Sequence, residues 1–180
     1  ALALKGLEFQ AIPVNLLVPK GGANRQPEYL EINPQGRVPA LRTDEGDLLI
    51  QSLAIIEYLE EIFPVPALLP VDPVDRARVR ALALHIACDV HPLNNLRVLQ
   101  FFENTWNVPR AERDAWVGHW MQVGFEALED ALADHPSTGT FCDGEMPTMA
   151  DCCLVPQVYN AVRFGVDLAP YRTIRRINEA

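Results

Sequence analysis

Basic residues are scarce in this chain: fifteen Lys and Arg stand against twenty-four Asp and Glu, a formal charge of −9. A surface of that sign repels phosphate backbones, so nucleic acid is excluded as the expected ligand. Long apolar runs are missing as well, and none approaches the roughly 18 residues that a membrane span requires, so no membrane is expected as a partner. Cysteine is sparse. It occurs at 88, 142, 152 and 153 with no Cys-x-x-Cys or Cys/His spacing, which argues against a metal site and points to a reducing compartment, the cytoplasm. No charged-then-apolar leader opens the sequence, and neither an internal repeat nor a low-complexity segment is seen. What remains is an ordinary globular mixture, 49% apolar and 22% charged over 180 residues, enough for one large domain or two small ones.

The first residues, Ala1-Leu2-Ala3-Leu4-Lys5-Gly6, are strong helix formers closed by glycine. They read as the last turns of a helix with Gly6 just past its end, which implies further residues upstream of Ala1. Leu7 to Val14 alternates partly and predicts a strand, with Pro13 at an edge or end. After a Gly/Pro-rich loop through Lys20, Gly21 and Gly22, a short helix is predicted at Pro27 to Ile32. Strands follow at Ala40 to Thr43 and Leu48 to Ile50, joined by Asp44-Glu45-Gly46-Asp47, whose turn chemistry makes them an antiparallel pair. Ser52 is the predicted N-cap of an amphipathic helix, Leu53 to Phe63, with Leu53, Ile56, Leu59 and Phe63 on one face.

Four prolines between 64 and 73 mark a boundary. Beyond it the pattern is helical throughout. Arg76 to Phe102 reads as one helix kinked at Pro92. Arg110 to Ala133 carries Trp116, Trp120, Val123, Ala127, Leu128 and Leu132 at helical spacing as the expected core face. Thr148-Met149-Ala150-Asp151 has the spacing of a capping box and opens another helix, in which Cys152 and Cys153 are expected to face the core. A last helix is predicted near Pro170. The expected domains are residues 1–64, a linker at 65–72, and an all-α domain at 73–180. With a strand supplied upstream, the first unit becomes βαβαββα, the thioredoxin-like α/β arrangement, lacking here its first strand and the start of its first helix.

Two places could carry chemistry. Arg37-Val38-Pro39 puts a proline at the entry to a strand, where a cis bond would expose the Val38 backbone to an extended peptide, although an X-Pro turn alone is bland. Gln51-Ser52 lies where strand meets helix, and free helix-start N–H groups with the Ser52 hydroxyl favour a carboxylate; a plain helix cap is the competing reading.

Three segments carry a resemblance that spans nearly the whole chain: Asn33-Pro34-Gln35-Gly36-Arg37-Val38-Pro39, the run Gln51-Ser52-Leu53-Ala54-Ile55-Ile56-Glu57-Tyr58-Leu59-Glu60-Glu61, and Met149-Ala150-Asp151-Cys152-Cys153-Leu154-Val155-Pro156-Gln157-Val158-Tyr159-Asn160-Ala161. With His91-Pro92-Leu93-Asn94-Asn95-Leu96, they resemble the zeta class of glutathione transferases. That resemblance implies the glutathione transferase fold, glutathione as cofactor, a homodimer, and glutathione-dependent cis–trans isomerisation of maleylacetoacetate or maleylpyruvate, a step of aromatic amino-acid catabolism on a small dicarboxylic acid. The class carries a catalytic Ser-Ser-Cys motif just upstream of a stretch like the one opening this chain, so those residues are expected before Ala1.

By the same resemblance, Val38 pairs its backbone with glutathione, while Gln51 and Ser52 hold its γ-glutamyl carboxylate. His91, Asn95, Leu96 and Arg97 line the glutathione cleft, reaching it from across a dimer interface, and Asn24 contributes a further contact. Arg163 binds a substrate carboxylate. His91 reads equally as a helix-kink histidine, and Arg163 as a solvated helix-end arginine. The competing functions are a general zeta-like transferase or dehalogenase of α-haloacids, and a non-catalytic interaction module of the same fold.

Overall fold

The computed structural model describes residues 1–180, apart from the side chains of residues 19 and 20. Two compact units are present, Ala1–Ala67 and Leu68–Ala180.

The first unit begins with a helical turn that ends as its composition predicts. The Leu7 N–H reaches Leu2 O at 3.1 Å, the Gly6 N–H reaches Ala3 O at 3.0 Å, and Gly6 takes φ +66°, the left-handed closure that a side chain would resist. Lys5, one residue earlier, is buried. Its ammonium donates to Glu60 Oε2 at 2.7 Å and to the carbonyls of Phe63 and Pro66 at 2.6 and 2.9 Å, so all three protons are used. The opening turn is thereby fastened to the end of α2 (Ser52–Ile62).

The predicted strand at Leu7–Val14 does not form. No neighbouring strand among the described residues pairs with it, and Phe9 and Ile12 are exposed. A partly alternating pattern is no strand without a ladder to join. A single π-helical turn, Val18–Gly22, and a 3-10 turn, Ala23–Arg25, lead to α1 (Pro27–Leu30), shorter than expected. β1 (Ala40–Arg42) and β2 (Leu48–Ile50) pair antiparallel with Ala40 opposite Ile50, and β1 stops before Thr43, whose carbonyl and hydroxyl instead close the turn to Gly46 and Asp47. On α2 the core residues are Ile55, Ile56 and Leu59; Phe63 lies past the helix end and is exposed.

In the second unit the expected single kinked helix is four pieces. α3 (Pro73–Leu84) is capped by Asp72, whose carboxylate accepts from the Val74 and Asp75 N–H groups at 2.8 and 3.1 Å. A π-helical turn, His85–Val90, and a 3-10 turn, His91–Asn94, then precede α4 (Leu96–Asn104). The break starts before Pro92 because two things act there. Proline withdraws a donor, and α5 (Arg110–Ala133) crosses so closely that a Cβ at Gly124 would run into the Val90 side chain. His85 seals the crossing, its Nε2 lying 2.9 Å from Gly124 O.

The core face of α5 is Val117, Met121, Gly124, Phe125, Leu128 and Leu132. This moves most of the expected stripe round by one residue: Val123 and Ala127 are exposed, and Trp116 and Trp120 are only half-buried. Apolar residues occur on several faces of this helix, so periodicity alone leaves its rotation open. α6 (Met149–Arg163) opens with the predicted capping box, and α7 (Arg172–Glu179) packs Ile174 and Ile177 against α5 and α6. Asp151, 4% exposed, accepts from the Thr148 N–H and hydroxyl at 2.7 and 2.8 Å and from the Cys142 N–H at 2.9 Å. Cys152 and Cys153 are half-buried rather than core-facing, and burial pushes the Cys153 thiol up to about 12.

Candidate functional site

The residues singled out above fall into two groups, one in each unit.

In the first unit, the Val38–Pro39 peptide is cis and Val38 is exposed, which leaves its backbone turned outward just before β1. Two side-chain amides and a phenol hold that turn. Asn33, 1% exposed, donates to Arg37 O at 2.8 Å and accepts from the Gln35 N–H at 3.0 Å, while its backbone carbonyl takes the Gly36 N–H at 2.8 Å. The Tyr29 hydroxyl also donates to Arg37 O, at 2.6 Å, and desolvation raises its pKa, partly offset by Asn33, so it stays a donor at neutral pH. Asn24 donates to Gly36 O at 2.7 Å, leaving its own Oδ1 buried without a partner. Asn24 is thus part of the bracket.

Because Ala40 faces Ile50, continuing the register brings Val38 and Pro39 to the same end of the pair as Gln51 and Ser52. Gln51, not Ser52, is the N-cap of α2. It sits at φ +73°, ψ +122°, a conformation L-residues rarely adopt, and neither side chain makes a capping bond. Ser52 is instead the first helical residue. Both are exposed, so the Ser52 hydroxyl and the first N–H groups of α2 are open to a ligand. The Gln51 amide is steadied by donation to Gln35 Oε1 at 2.6 Å. An exposed peptide edge beside a donor-rich helix start suits a peptide with a free carboxylate.

In the second unit, His91, Asn95, Leu96 and Arg97 stand together where the 3-10 turn enters α4. Asn95 is its N-cap, accepting from the Arg97 N–H at 3.2 Å, and its Nδ2 lies 3.2 Å from His91 Nε2. Leu96 is half-buried and Arg97 exposed. Desolvation and the Arg97 charge lower the His91 pKa, opposed by a hydrogen-bonding contact with Gln157 of α6, so the ring is neutral at pH 7 although its outer edge is open. Asn160, one turn further along α6, donates to Asn94 Oδ1 at 2.9 Å, and Asn94 donates to Val90 O at 3.0 Å. Arg163 follows at the exposed end of α6, its guanidinium carbon 5.8 Å from the centre of the Phe164 ring. No structural contact joins it to the 91–97 segment among the described residues.

Sequence reasoning missed Asn33, Tyr29, Gln35, Asn94, Gln157 and Asn160. The available signal was uncharged amides set in otherwise apolar helix or tight turn, since a buried amide must be holding something. No cluster of His, Cys, Asp or Glu suited to a metal occurs among the described residues, and no helix is long and apolar enough to cross a membrane.

Comparison with known proteins adds independent findings. Residues 1–62 match the family described as glutathione S-transferase, N-terminal domain, and residues 111–177 match its C-terminal domain. A maleylacetoacetate isomerase of Pseudomonas aeruginosa is 52% identical over 98% of this chain and 81% of its own. Among solved structures, the holo form of maleyl pyruvate isomerase, a bacterial zeta-class glutathione transferase, superposes with a TM-score of 0.94 at 46% identity, covering 99% of this chain and 82% of that one. A maleylacetoacetate isomerase of Methylobacterium extorquens AM1, with malonate and glutathione bound, gives 0.93 at 39% identity and the same coverage.

Proposed function

This chain belongs to the zeta class of the glutathione S-transferase family, and on that premise we propose that it is a glutathione-dependent cis–trans isomerase converting maleylacetoacetate to fumarylacetoacetate. The observation that carries the reading is the outward-turned Val38 backbone beside the open start of α2. Glutathione is a tripeptide with a free γ-glutamyl carboxylate, and these groups fit it: the Val38 N–H and C=O pair with its main chain, while Ser52 and the α2 N–H groups, with the Gln51 amide, take the carboxylate.

Rotation about a carbon–carbon double bond is prohibitive, and bound glutathione supplies the thiolate that adds to it, renders it single and departs after rotation. The protein's own residues bind and orient. Asn33, Asn24 and Tyr29 hold the Val38 turn in register. From across the interface of the proposed homodimer, His91, Asn95, Leu96 and Arg97 contribute further glutathione contacts, the neutral imidazole adding none of the positive charge that Arg97 already supplies. Arg163, at the exposed end of α6, offers a planar cation for a substrate carboxylate. Solved relatives with malonate bound, or with dicarboxyethyl glutathione and citrate bound, support a dicarboxylate as the second ligand. A homodimer and a cytoplasmic setting complete the reading, the latter suited to four free thiols.

Turnover of maleylacetone with sub-stoichiometric glutathione tests it. Many isomerisations per glutathione are expected. Chloride release from dichloroacetate outpacing isomerisation would move the assignment to the dehalogenase reading.

A further inference from the structure

Asn94 points inward from a turn whose next residue, Asn95, is a candidate ligand contact. It is 3% exposed, and both ends of its side-chain amide are used: Nδ2 donates to the Val90 carbonyl at 3.0 Å, and Oδ1 accepts from Asn160 Nδ2 of α6 at 2.9 Å. The first bond settles the second. With Nδ2 committed to a carbonyl, only Oδ1 is left to face α6, so residue 160 has to be a donor. One residue earlier, the Leu93 carbonyl takes the Trp116 indole N–H of α5 at 2.7 Å. Two helices therefore hold two consecutive residues of the 3-10 turn, and the chain leaves it at Asn95, with φ −69° and ψ 141°, to start α4. Two apolar side chains in place of Asn94 and Asn160 would fill the space without fixing a direction. A buried amide pair with one permitted polarity fixes the backbone that carries it.

We propose that Asn160 is a positioning residue: by donating to Asn94 it sets the 3-10 turn on α6, and so places Asn95 and the start of α4 for glutathione. Arg163 stands one turn further along the same helix, at its exposed end. A single helix thus serves both ligands by separate means, glutathione through the Asn160–Asn94 pair and the dicarboxylate through Arg163. That the placed residues serve glutathione rests on the function proposed above; the polarity of the pair does not.

Steady-state kinetics of Asn160→Ala and Arg163→Ala, with folding checked by circular dichroism, test this. Asn160→Ala is expected to raise the KM for glutathione roughly three- to tenfold while changing kcat and the KM for maleylacetone far less. Arg163→Ala is expected to raise the KM for maleylacetone and spare that for glutathione, and the same pattern in both variants overturns the separation. If Asn160→Ala lowers the unfolding midpoint but leaves glutathione KM in place, the residue only packs and the proposal is wrong. Asn94→Ala and the double variant show whether the two amides act as one: the double is expected to be no worse than Asn94→Ala alone, and additive losses contradict the pairing. Asn160→Leu, which fills the space without a donor, gives the same reading should Asn160→Ala not fold. Asn95→Ala separates this proposal from the function beneath it. If that variant leaves glutathione KM untouched, the assignment of the segment to glutathione fails; if it raises that KM while Asn160→Ala does not, the assignment stands and the positioning role falls.

Discussion

The two units hold their candidate ligand-binding residues by different means. In the first, the candidate groups are mainly backbone: a turned-out Val38 peptide and the first N–H groups of α2, held by a buried amide at Asn33 and a left-handed Gln51. In the second they are side chains, with Asn160 of α6 donating to Asn94 and Asn95 facing His91 at the start of α4. A backbone site depends on its loop staying folded, and so on whatever anchors the unit. A side-chain site depends on individual amides, each of which can be removed while the helices stay packed around Met121, Phe125 and Leu154.

The largest expected effect comes from the anchor. Lys5→Met strips Glu60 and two carbonyls of a buried ammonium, and breaking a buried pair in this way costs about 3–5 kcal/mol. All three tryptophans lie beyond residue 67, so their fluorescence reports the second unit alone. In urea, the circular dichroism transition should begin earlier while the tryptophan transition stays in place. If both move together, the units do not differ in the manner argued.

Next is Asn33→Ala, which removes both of the side-chain bonds that Asn33 gives the bracket, about 1–3 kcal/mol for a buried amide. Glutathione KM should rise about tenfold or more, whereas the ring nitrogen spectrum of His91 should not change. A response at His91 would erase the distinction between the two regions.

The smallest effect is a pH dependence confined to the second unit. The folded pKa of His91 lies below its unfolded value, so between the two the unfolded chain binds more protons. The contribution of this residue to stability is therefore present above about pH 6.5, declines as pH falls through the unfolded pKa, and levels off below the folded one. In His91→Gln the unfolding free energy should fall less steeply from pH 7 to pH 5. An unchanged slope would mean that the ring gains nothing from being neutral.

Local chemistry explains what the sequence made legible. Gly6 at a helix end, Thr148 three residues before Asp151, and a proline opening β1 each act through neighbours a few residues away, and each appears as expected. The misplaced features depend on distant partners. Leu7 to Val14 needed a strand to pair with, the rotation of α5 was decided by Val90 meeting Gly124, and the π turn before Pro92 by the same crossing. The candidate residues came from the resemblance, whereas Asn33, Gln157 and Asn160 acquire meaning only once a carbonyl or ring is found beside them.

Calorimetric titration of the wild-type protein with reduced glutathione, and with the same tripeptide amidated at its γ-glutamyl α-carboxylate, tests the central claim most directly. Saturable heat for glutathione and a weakening of roughly 10–100-fold for the amide are expected, the loss of a charge-assisted contact at Ser52 and the start of α2. Equal affinity for the two, or no heat with either, would contradict it.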